Sequence, residues 1–251
     1  MRRKTRNFNL GNIGIGSDSP ISVQSMTKTD TRDVDKTVNQ INELELAGCD
    51  IIRCAVPNID AAMALKQIIK KTNIPVVADI HFEYTLALEA IKSGIHGLRI
   101  NPGNIGQRKR IVTVVNAAKD AGIPIRIGVN SGSLEKDILQ KHGSPTPDAL
   151  VESAERHLGI LDELNFTNVK VSVKSANVNI MKESYRKLAK ITDVPFHLGV
   201  TEAGTFEIGS IKSSIGIGGL ISDGVGDTIR VSLTDDPVKE VKMGRNILKA
   251  L

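Results

Sequence analysis

Short runs rich in β-branched residues alternate with longer amphipathic runs eight times between residue 20 and residue 251. The strand-like runs begin near Pro20-Ile21, Asp50-Ile51, Ile74-Pro75, His96-Gly97, Ile123-Pro124, Asn168-Val169, Val194-Pro195 and Asp227-Thr228. Between them, helical apolar spacing of i, i+3, i+4 and i+7 occurs over residues 34–47, 61–71, 84–92, 111–121, 149–164 and 185–190. This alternation predicts an α/β fold of the (β/α)8 TIM-barrel type, which typically takes about 250 residues.

The domain organisation follows from this alternation. Residues 20–251 are predicted to form the barrel, and residues 1–19 a short amino-terminal extension. The extension contains the turn formers Asn9, Gly11, Asn12, Gly14 and Gly16. A hairpin that closes the amino-terminal end of the barrel is therefore expected.

Composition excludes several classes of protein. With 40% hydrophobic and 24% charged residues, the chain can bury a core of its own and is not a disordered protein. No apolar run approaches the roughly 18 residues of a membrane span. The opening Met-Arg-Arg-Lys-Thr-Arg lacks the apolar segment of a secretory signal. We therefore expect no membrane partner and a cytoplasmic location.

The formal net charge of +5 raises the alternative of a basic module that binds nucleic acid. Four of the positive charges lie within residues 2–6, and the chain has only five Phe, two Tyr and no Trp. A protein that stacks single-stranded bases needs more aromatic rings. Nucleic acid is therefore not an expected partner, and a steep dependence of duplex binding on salt would argue for this alternative.

The period of two within the strands separates an apolar face from a polar face. The apolar face carries Ile52, Cys54, Val56, Leu98, Ile100, Ile125, Ile127, Val129, Val169, Val171, Val173, Phe196, Leu198, Val200, Ile229, Val231 and Leu233. The other face carries Arg53, Asp79, His81, Arg99, Asn101, Arg126, Asn130, Ser172, Lys174, His197, Thr201, Arg230 and Ser232. Strands of a parallel barrel are normally apolar on both faces, and an unpaired buried charge costs several kcal/mol. The polar face is therefore predicted to lie at the carboxyl-terminal mouth, where active sites of such barrels are found.

Charge at this predicted mouth is unbalanced. Two carboxylates, Asp79 and Glu202, face five cations. The cations are Arg53, Arg99, Arg126, Lys174 and Arg230. Arginine holds phosphate oxygens by paired hydrogen bonds worth roughly 1.5–3 kcal/mol each, so the pattern predicts a site for a phosphorylated or diphosphorylated small molecule. The alternative for each arginine is an ion pair with a neighbouring carboxylate.

Other polar residues are less informative. His81 and His197 are equally consistent with site residues and with core residues whose hydrogen bonds are satisfied. Lys170 is expected to lie deeper in the barrel than Lys174 and is not assigned to the site. Cys49 and Cys54 are interpreted as packing residues, because two cysteines make neither a four-cysteine metal site nor a disulfide framework. The absence of GxGxxG and Walker A patterns at a strand-to-helix turn argues against a nucleotide-binding fold.

Longer strings carry a resemblance to a known family. They are Val-Gln-Ser-Met-Thr (23–27), Ile-Arg-Cys-Ala-Val-Pro (52–57), Val-Ala-Asp-Ile-His-Phe (77–82), Leu-Arg-Ile-Asn-Pro-Gly-Asn-Ile-Gly (98–106), Ile-Arg-Ile-Gly-Val-Asn-Ser-Gly-Ser-Leu (125–134), Lys-Val-Ser-Val-Lys (170–174), His-Leu-Gly-Val-Thr-Glu-Ala-Gly (197–204) and Gly-Asp-Thr-Ile-Arg-Val-Ser-Leu (226–233). With these strings, nearly the whole chain resembles the 4-hydroxy-3-methylbut-2-enyl diphosphate synthases.

The resemblance implies an oxidoreductase of the methylerythritol phosphate route to isoprenoids. This family reductively opens 2-C-methyl-D-erythritol 2,4-cyclodiphosphate, takes electrons from ferredoxin or flavodoxin through a 4Fe–4S cluster, and forms homodimers. Residues implied to bind the diphosphate are Arg53, Arg99, Arg126, Lys174 and Ser232, with Arg230 and His81 nearby. Asp79, Asn130 and Glu202 are implied to face the carbon skeleton, with Glu202 as the candidate for proton transfer.

The chain departs from the family pattern in one respect. The family holds its cluster with three cysteines and a glutamate on a separate carboxyl-terminal domain, and this sequence has no Cys-x-x-Cys. We therefore expect the barrel part alone, without metal ligands, binding the cyclic diphosphate but not reducing it. The alternatives are a phosphate-handling barrel of the pterin-synthase type and a non-catalytic fragment.

Overall fold

The structure, a computed structural model, describes residues 1–251 except for the side chain at position 102. Eight of its ten strands form one parallel sheet, which confirms the predicted barrel, and the first two form a separate hairpin. The strands are β1 (Phe8–Leu10), β2 (Ile13–Ile15), β3 (Ser22–Met26), β4 (Ile51–Ala55), β5 (Val76–Asp79), β6 (Gly97–Ile100), β7 (Ile125–Asn130), β8 (Val169–Lys174), β9 (His197–Leu198) and β10 (Thr228–Ile229). Each barrel strand begins within three residues of its predicted start.

Eleven helices surround the barrel within the described residues. They are α1 (Val34–Leu46), α2 (Ile59–Lys70), α3 (Tyr84–Lys92), α4 (Pro102–Ile105), α5 (Arg108–Asp120), α6 (Lys136–His142), α7 (Pro147–Glu163), α8 (Val178–Leu188), α9 (Phe206–Ser213), α10 (Gly219–Ser222) and α11 (Pro237–Lys249). A π-helical turn, Ser214–Gly218, joins α9 to α10. The six predicted helical runs correspond to α1, α2, α3, α5, α7 and α8. None of the described helices is long and apolar enough to cross a membrane.

Local sequence signals explain where the main helices begin and end. The Asn58 side chain accepts a hydrogen bond from the Ala61 N–H at the start of α2, and Thr146 does the same for α7. Gly48, Gly94 and Gly122 follow α1, α3 and α5 with positive φ angles of 101°, 86° and 66°. A residue with a Cβ adopts this left-handed conformation only with strain, so these glycines end the helices at little cost.

The apolar face of the strands packs under the helices. Ile52, Cys54, Ile100 and Val171 are all fully buried there, in one continuous hydrophobic core. The opposite face therefore points to the barrel axis, as the period of two predicts.

The hairpin of β1 and β2 fills the amino-terminal end of the barrel. Its strands pair antiparallel, with Leu10 opposite Ile13. Leu10 and Ile15 form a small apolar cluster with Ile51 and Val77, and each of the four is at most 2% exposed. This end of the barrel is therefore closed by apolar packing, and we call it the bottom.

A side chain completes the barrel wall between β8 and β9. These strands are joined by a single isolated backbone pairing, Val171 with Phe196. Beside it, the hydroxyl of Tyr185 on α8 accepts a hydrogen bond from the Val173 N–H (3.1 Å) and donates one to the His197 carbonyl (2.6 Å). The phenol thereby takes the place of a backbone contact at this seam.

Candidate anion-binding site

A cavity of about 200 Å³ opens at the carboxyl-terminal ends of the barrel strands, the mouth. The ten residues to which the sequence assigned binding or catalytic roles all line it, together with Ser172, Val200 and Thr201, whereas Asn101 and His197, also expected at the mouth, do not. The ten are Arg53, Asp79, His81, Arg99, Arg126, Asn130, Lys174, Glu202, Arg230 and Ser232. The volume is below the roughly 300–1,000 Å³ of drug-sized ligand sites, so the cavity suits a compact, polar molecule.

Asp79, at the end of β5, organises one side of the mouth. Its two carboxylate oxygens lie 3.1 Å from Arg99 Nη1 and 3.4 Å from Arg53 Nε. His81 Nε2 lies 3.2 Å from Asp79 Oδ2. Burial alone would raise the pKa of Asp79, but Arg53, the His81 hydrogen bond and Arg99 outweigh it and hold the pKa well below its usual range. Asp79 is therefore ionised and fixes the two guanidinium groups.

Arg230 has an acidic partner that the sequence analysis did not identify. Glu240 on α11 is 2% exposed, and its carboxylate lies 3.5 Å from Arg230 Nη2 and accepts a hydrogen bond from the Leu233 N–H (2.9 Å). The available signal was an acid within the buried stripe of α11, beside Val241 and Gly244. For Arg53, Arg99 and Arg230, the ion-pair alternative is thus correct in part.

Arg126 and Lys174 lie in the same cavity without acidic partners. In the part of the chain that the structure describes, no carboxylate lies within 4 Å of either cationic group, and Arg126 Nε and Nη1 have no hydrogen-bond partner. Arg126 is 2% and Lys174 7% exposed. Burial, followed by the neighbouring guanidinium groups, lowers the pKa of both residues. Keeping both groups charged is therefore costly in the free protein, and a bound anion would lower that cost.

Two polar residues lie deeper in the barrel and do not line the cavity. His197 is fully buried, its Nδ1 lies 2.7 Å from Thr228 Oγ1, and burial lowers its pKa, which fits the core interpretation. Lys170 is 2% exposed, and its amino group has no hydrogen-bond partner. Burial and then the charge of Arg126 lower the pKa of Lys170 to about 7.

The loops after the strands place two further polar groups at the mouth. In the orientation that satisfies both of its amide atoms, Asn130 accepts a hydrogen bond from Arg99 Nη2 (3.3 Å) and donates one to the Val129 carbonyl (3.2 Å). Glu202 has a φ of 50°, a conformation that residues other than glycine seldom adopt and that is found preferentially at functional sites. Asn101, by contrast, caps α4 by accepting the Gly103 N–H (3.2 Å) and does not line the cavity.

The described residues do not fit the 4Fe–4S cluster that the family resemblance implies. Cys49 and Cys54 are buried away from the cavity, and burial raises the pKa of both thiols to about 12, whereas cluster ligands are thiolates. No group of three or more His, Cys, Asp and Glu among the described residues could hold a metal ion. The predicted role of the two cysteines as packing residues agrees with this burial.

Fold and cavity together define a (β/α)8-barrel protein with a cationic mouth. Residues 5–245 match the family described as the GcpE TIM-barrel domain. The chain is 60% identical over 248 residues to 4-hydroxy-3-methylbut-2-en-1-yl diphosphate synthase (flavodoxin) of Clostridium perfringens, covering 99% of this chain and 71% of the relative. The Clostridium tetani relative with the same name is 60% identical over 250 residues, covering 100% and 72%. The chain belongs to this family, as the sequence strings indicated.

Solved structures with the same fold are distant in sequence. A sialic acid synthetase from Leptospira borgpetersenii has a TM-score of 0.67 at 15% identity and covers 100% of this chain and 91% of its own. A dihydropteroate synthase from Xanthomonas albilineans has a TM-score of 0.65 at 10% identity, with 98% and 99% covered. Proteins of the pterin-synthase type, considered above as an alternative, thus have the same barrel fold as this chain. At this level of sequence identity, the similarity shows the fold alone.

Proposed function

We propose that this chain binds 2-C-methyl-D-erythritol 2,4-cyclodiphosphate at the mouth and forms the substrate-binding barrel of a 4-hydroxy-3-methylbut-2-en-1-yl diphosphate synthase of isoprenoid biosynthesis. The observation that carries the proposal is the pair of buried cations, Arg126 and Lys174, that face a cavity without acidic partners. The names of the family relatives, which include a diphosphate product, support it.

The cations of the mouth explain why a compact diphosphate suits the site. Arg126 Nε and Nη1 have no hydrogen-bond partner and Lys174 has no acidic partner in the described structure, so phosphate oxygens would satisfy donors of Arg126 and pair with both cations. Arg53 and Arg99 each have donors beyond those bound to Asp79, and Arg230 has donors beyond those facing Glu240. The Ser232 hydroxyl and His81 border the same cavity and complete the proposed diphosphate contacts.

Asp79, Asn130 and Glu202 are proposed to face the carbon skeleton of the substrate. The overall reaction takes up two electrons and two protons, releases one diphosphate oxygen from carbon, and expels a hydroxyl group as water. Glu202 is assigned the proton transfer to the departing hydroxyl oxygen, because its carboxylate lines the cavity and is not fixed by an ion pair in the described structure. Asp79, held ionised by two arginines, is assigned substrate orientation.

Reduction of the cyclodiphosphate is proposed to need a 4Fe–4S cluster that is held by other residues. Because the described residues of this chain do not fit a 4Fe–4S cluster, we propose that these 251 residues bind the cyclodiphosphate and that reduction requires a cluster supplied by other residues, with flavodoxin or ferredoxin as the electron donor. The proposed assembly is a homodimer.

The proposal is tested by calorimetric titration with the cyclodiphosphate, a pterin diphosphate and random duplex DNA. We expect saturable one-to-one binding of the cyclodiphosphate and no turnover with a strong reductant. Glu202→Gln should retain binding and, once a cluster is supplied, lose turnover. A preference for the pterin diphosphate, or turnover by the unaided chain, would contradict the proposal.

A further inference from the structure

Gly128 occupies an inward-facing position in the middle of β7. It lies two residues after Arg126 and two before Asn130, both of which line the cavity, and pairs in register with Ser172 of β8. Glycine weakens the interior of a strand, and its presence there often marks the close approach of another group. The backbone conformation gives no other reason for glycine, because Gly128 does not have a positive φ.

The group that approaches Gly128 is the guanidinium of Arg99. A Cβ atom at position 128 would lie 2.7 Å from Arg99 Nε, 2.9 Å from Nη2 and 3.2 Å from Cζ. Real Cβ contacts essentially never fall below 3.0 Å, so a side chain here would force the guanidinium to move. All three nearest atoms belong to Arg99, so the absence of a side chain at position 128 leaves room for this guanidinium.

The position of this guanidinium sets several contacts at once. Pressed against β7, it places Nη1 3.1 Å from Asp79 Oδ1 and Nη2 3.3 Å from the Asn130 amide oxygen. A shift away from Gly128 would draw Nη2 away from the Asn130 amide oxygen and change the position of the guanidinium relative to Asp79 and to the cavity, where phosphate oxygens are proposed to bind.

We infer that Gly128 is a positioning residue that acts through Arg99 to set how deeply an anionic ligand enters the mouth. The inference rests on the proposed function for the nature of the ligand. Its steric part rests only on the contact between position 128 and Arg99.

Gly199 occupies the corresponding inward position after β9 but gives a less selective test. A Cβ there would lie 2.7 Å from Lys174 Nζ and also 2.7 Å from the backbone oxygen of Arg230. A substitution at Gly199 would therefore disturb the backbone of the wall as well as the lysine, whereas the three nearest atoms to a Cβ at position 128 all belong to the end of a flexible side chain.

The experiment is a double-mutant cycle with Gly128→Ala and Arg99→Met, read out as the affinity for inorganic diphosphate by calorimetry. Gly128→Ala should weaken binding about 5- to 50-fold, since a displaced Arg99 would weaken, but not remove, its charge-assisted hydrogen bonds to the anion. In the Arg99→Met background the same change should alter the affinity by less than about twofold, because residues that act through one another are not additive. Gly159→Ala in α7, where a Cβ meets nothing within 4 Å, is the control and should leave affinity unchanged.

An equal loss of affinity in both backgrounds would overturn the inference. So would a ligand-free crystal structure of Gly128→Ala in which Arg99 and its 3.1 Å contact with Asp79 are unchanged. If Gly128→Ala does not fold, folding of the double variant supports the inference, and failure of both overturns it. If the wild-type chain binds no diphosphate, the proposed function fails, while the crystal structure still decides the steric part.

Discussion

The two ends of the barrel are lined by different kinds of side chain, apolar at the bottom and charged at the mouth. At the bottom, Leu10 and Ile15 of the hairpin bury themselves against Ile51 and Val77, with apolar groups on every side. At the mouth, five cations surround a cavity lined by only two carboxylates, of which Asp79 pairs with Arg53 and Arg99, while the buried Glu240 lies near Arg230. Burial of apolar area stabilises the first arrangement, whereas the second places charges where water is scarce.

This difference indicates that the bottom stabilises the free protein, whereas the charged mouth gains stabilising partners only when a ligand binds. A bound polyanion would supply the partners that Arg126 and Lys174 lack, so ligand binding and folding stability are coupled at that end. Substitutions at the two ends should therefore change stability and affinity in different directions.

The largest expected effect is at the bottom. Leu10→Ala should lower the free energy of unfolding by about 2–5 kcal/mol, because it leaves a cavity among fully buried side chains. Urea titration measures the change, and Leu46→Ala, at a leucine that is 89% exposed, is the matched control with little expected effect. Diphosphate affinity should stay within about twofold of wild type in folded Leu10→Ala. A large loss of affinity would mean that the two ends are not independent.

At the mouth, Arg126→Met should weaken cyclodiphosphate binding by about 100-fold or more, or about 2.7 kcal/mol, because charge-assisted hydrogen bonds are lost. The same change should stabilise the free protein by about 1–4 kcal/mol, since it removes a buried cation without a partner. Calorimetry and urea unfolding measure the two quantities, with Arg186→Met on the surface as control. Loss of both affinity and stability would show that Arg126 is a structural ion-pair residue.

The seam between β8 and β9 can be destabilised by a substitution that touches neither the bottom nor the charged residues of the mouth. Tyr185→Phe removes the acceptor for Val173 N–H and the donor to the His197 carbonyl, so it should cost about 1–3 kcal/mol of stability. Tyr84→Phe is the control at the other tyrosine. Unchanged stability together with unchanged hydrogen exchange at Val173 would refute the role assigned to this phenol.

The smallest expected effect is a dependence on pH. Because the pKa of Lys170 is lowered to about 7 in the folded protein, the unfolded chain binds more protons above that pH. Stability of the free protein should therefore rise from pH 7 to 8.5, by up to about 1 kcal/mol per pH unit. Urea unfolding at several pH values should show a shallower rise for Lys170→Met. An equal slope in both proteins would contradict the assignment to Lys170.

Much of the fold was predictable because its signals are local. The period of two placed Ile52 and Arg53 on opposite faces of β4, and the helical spacing over residues 34–47 located α1. The segment from α9 to α10 escaped prediction because it is rich in glycine and contains a π-helical turn. A Cβ at Gly216 would lie 2.9 Å from Met181 Cε, so close packing across the fold, rather than periodicity, determines this segment.

Much of the candidate site's lining was predictable, but its ion pairs were not, and strand parity wrongly placed Asn101 and His197 at the cavity. Strand parity and the family resemblance together named ten residues that share one cavity, because the ends of parallel strands meet at one rim. The partner of Arg230 could not be derived in this way, since Glu240 lies on α11, outside the strands to which the period of two applies. Strand periodicity also could not indicate that Arg126 is unpaired while Arg99 is not.

Tyr185, at the seam between β8 and β9, also provides a spectroscopic signal from the barrel wall. The chain contains two tyrosines and no tryptophan, so its near-ultraviolet absorption and emission come from Tyr84 and Tyr185. In a Tyr84→Phe protein, all tyrosine emission would come from Tyr185. Its hydroxyl is hydrogen-bonded to Val173, the residue before Lys174 in β8. Titrating such a single-tyrosine protein with a polyanion would report whether the hydrogen bonds of Tyr185 change on binding, without any attached dye.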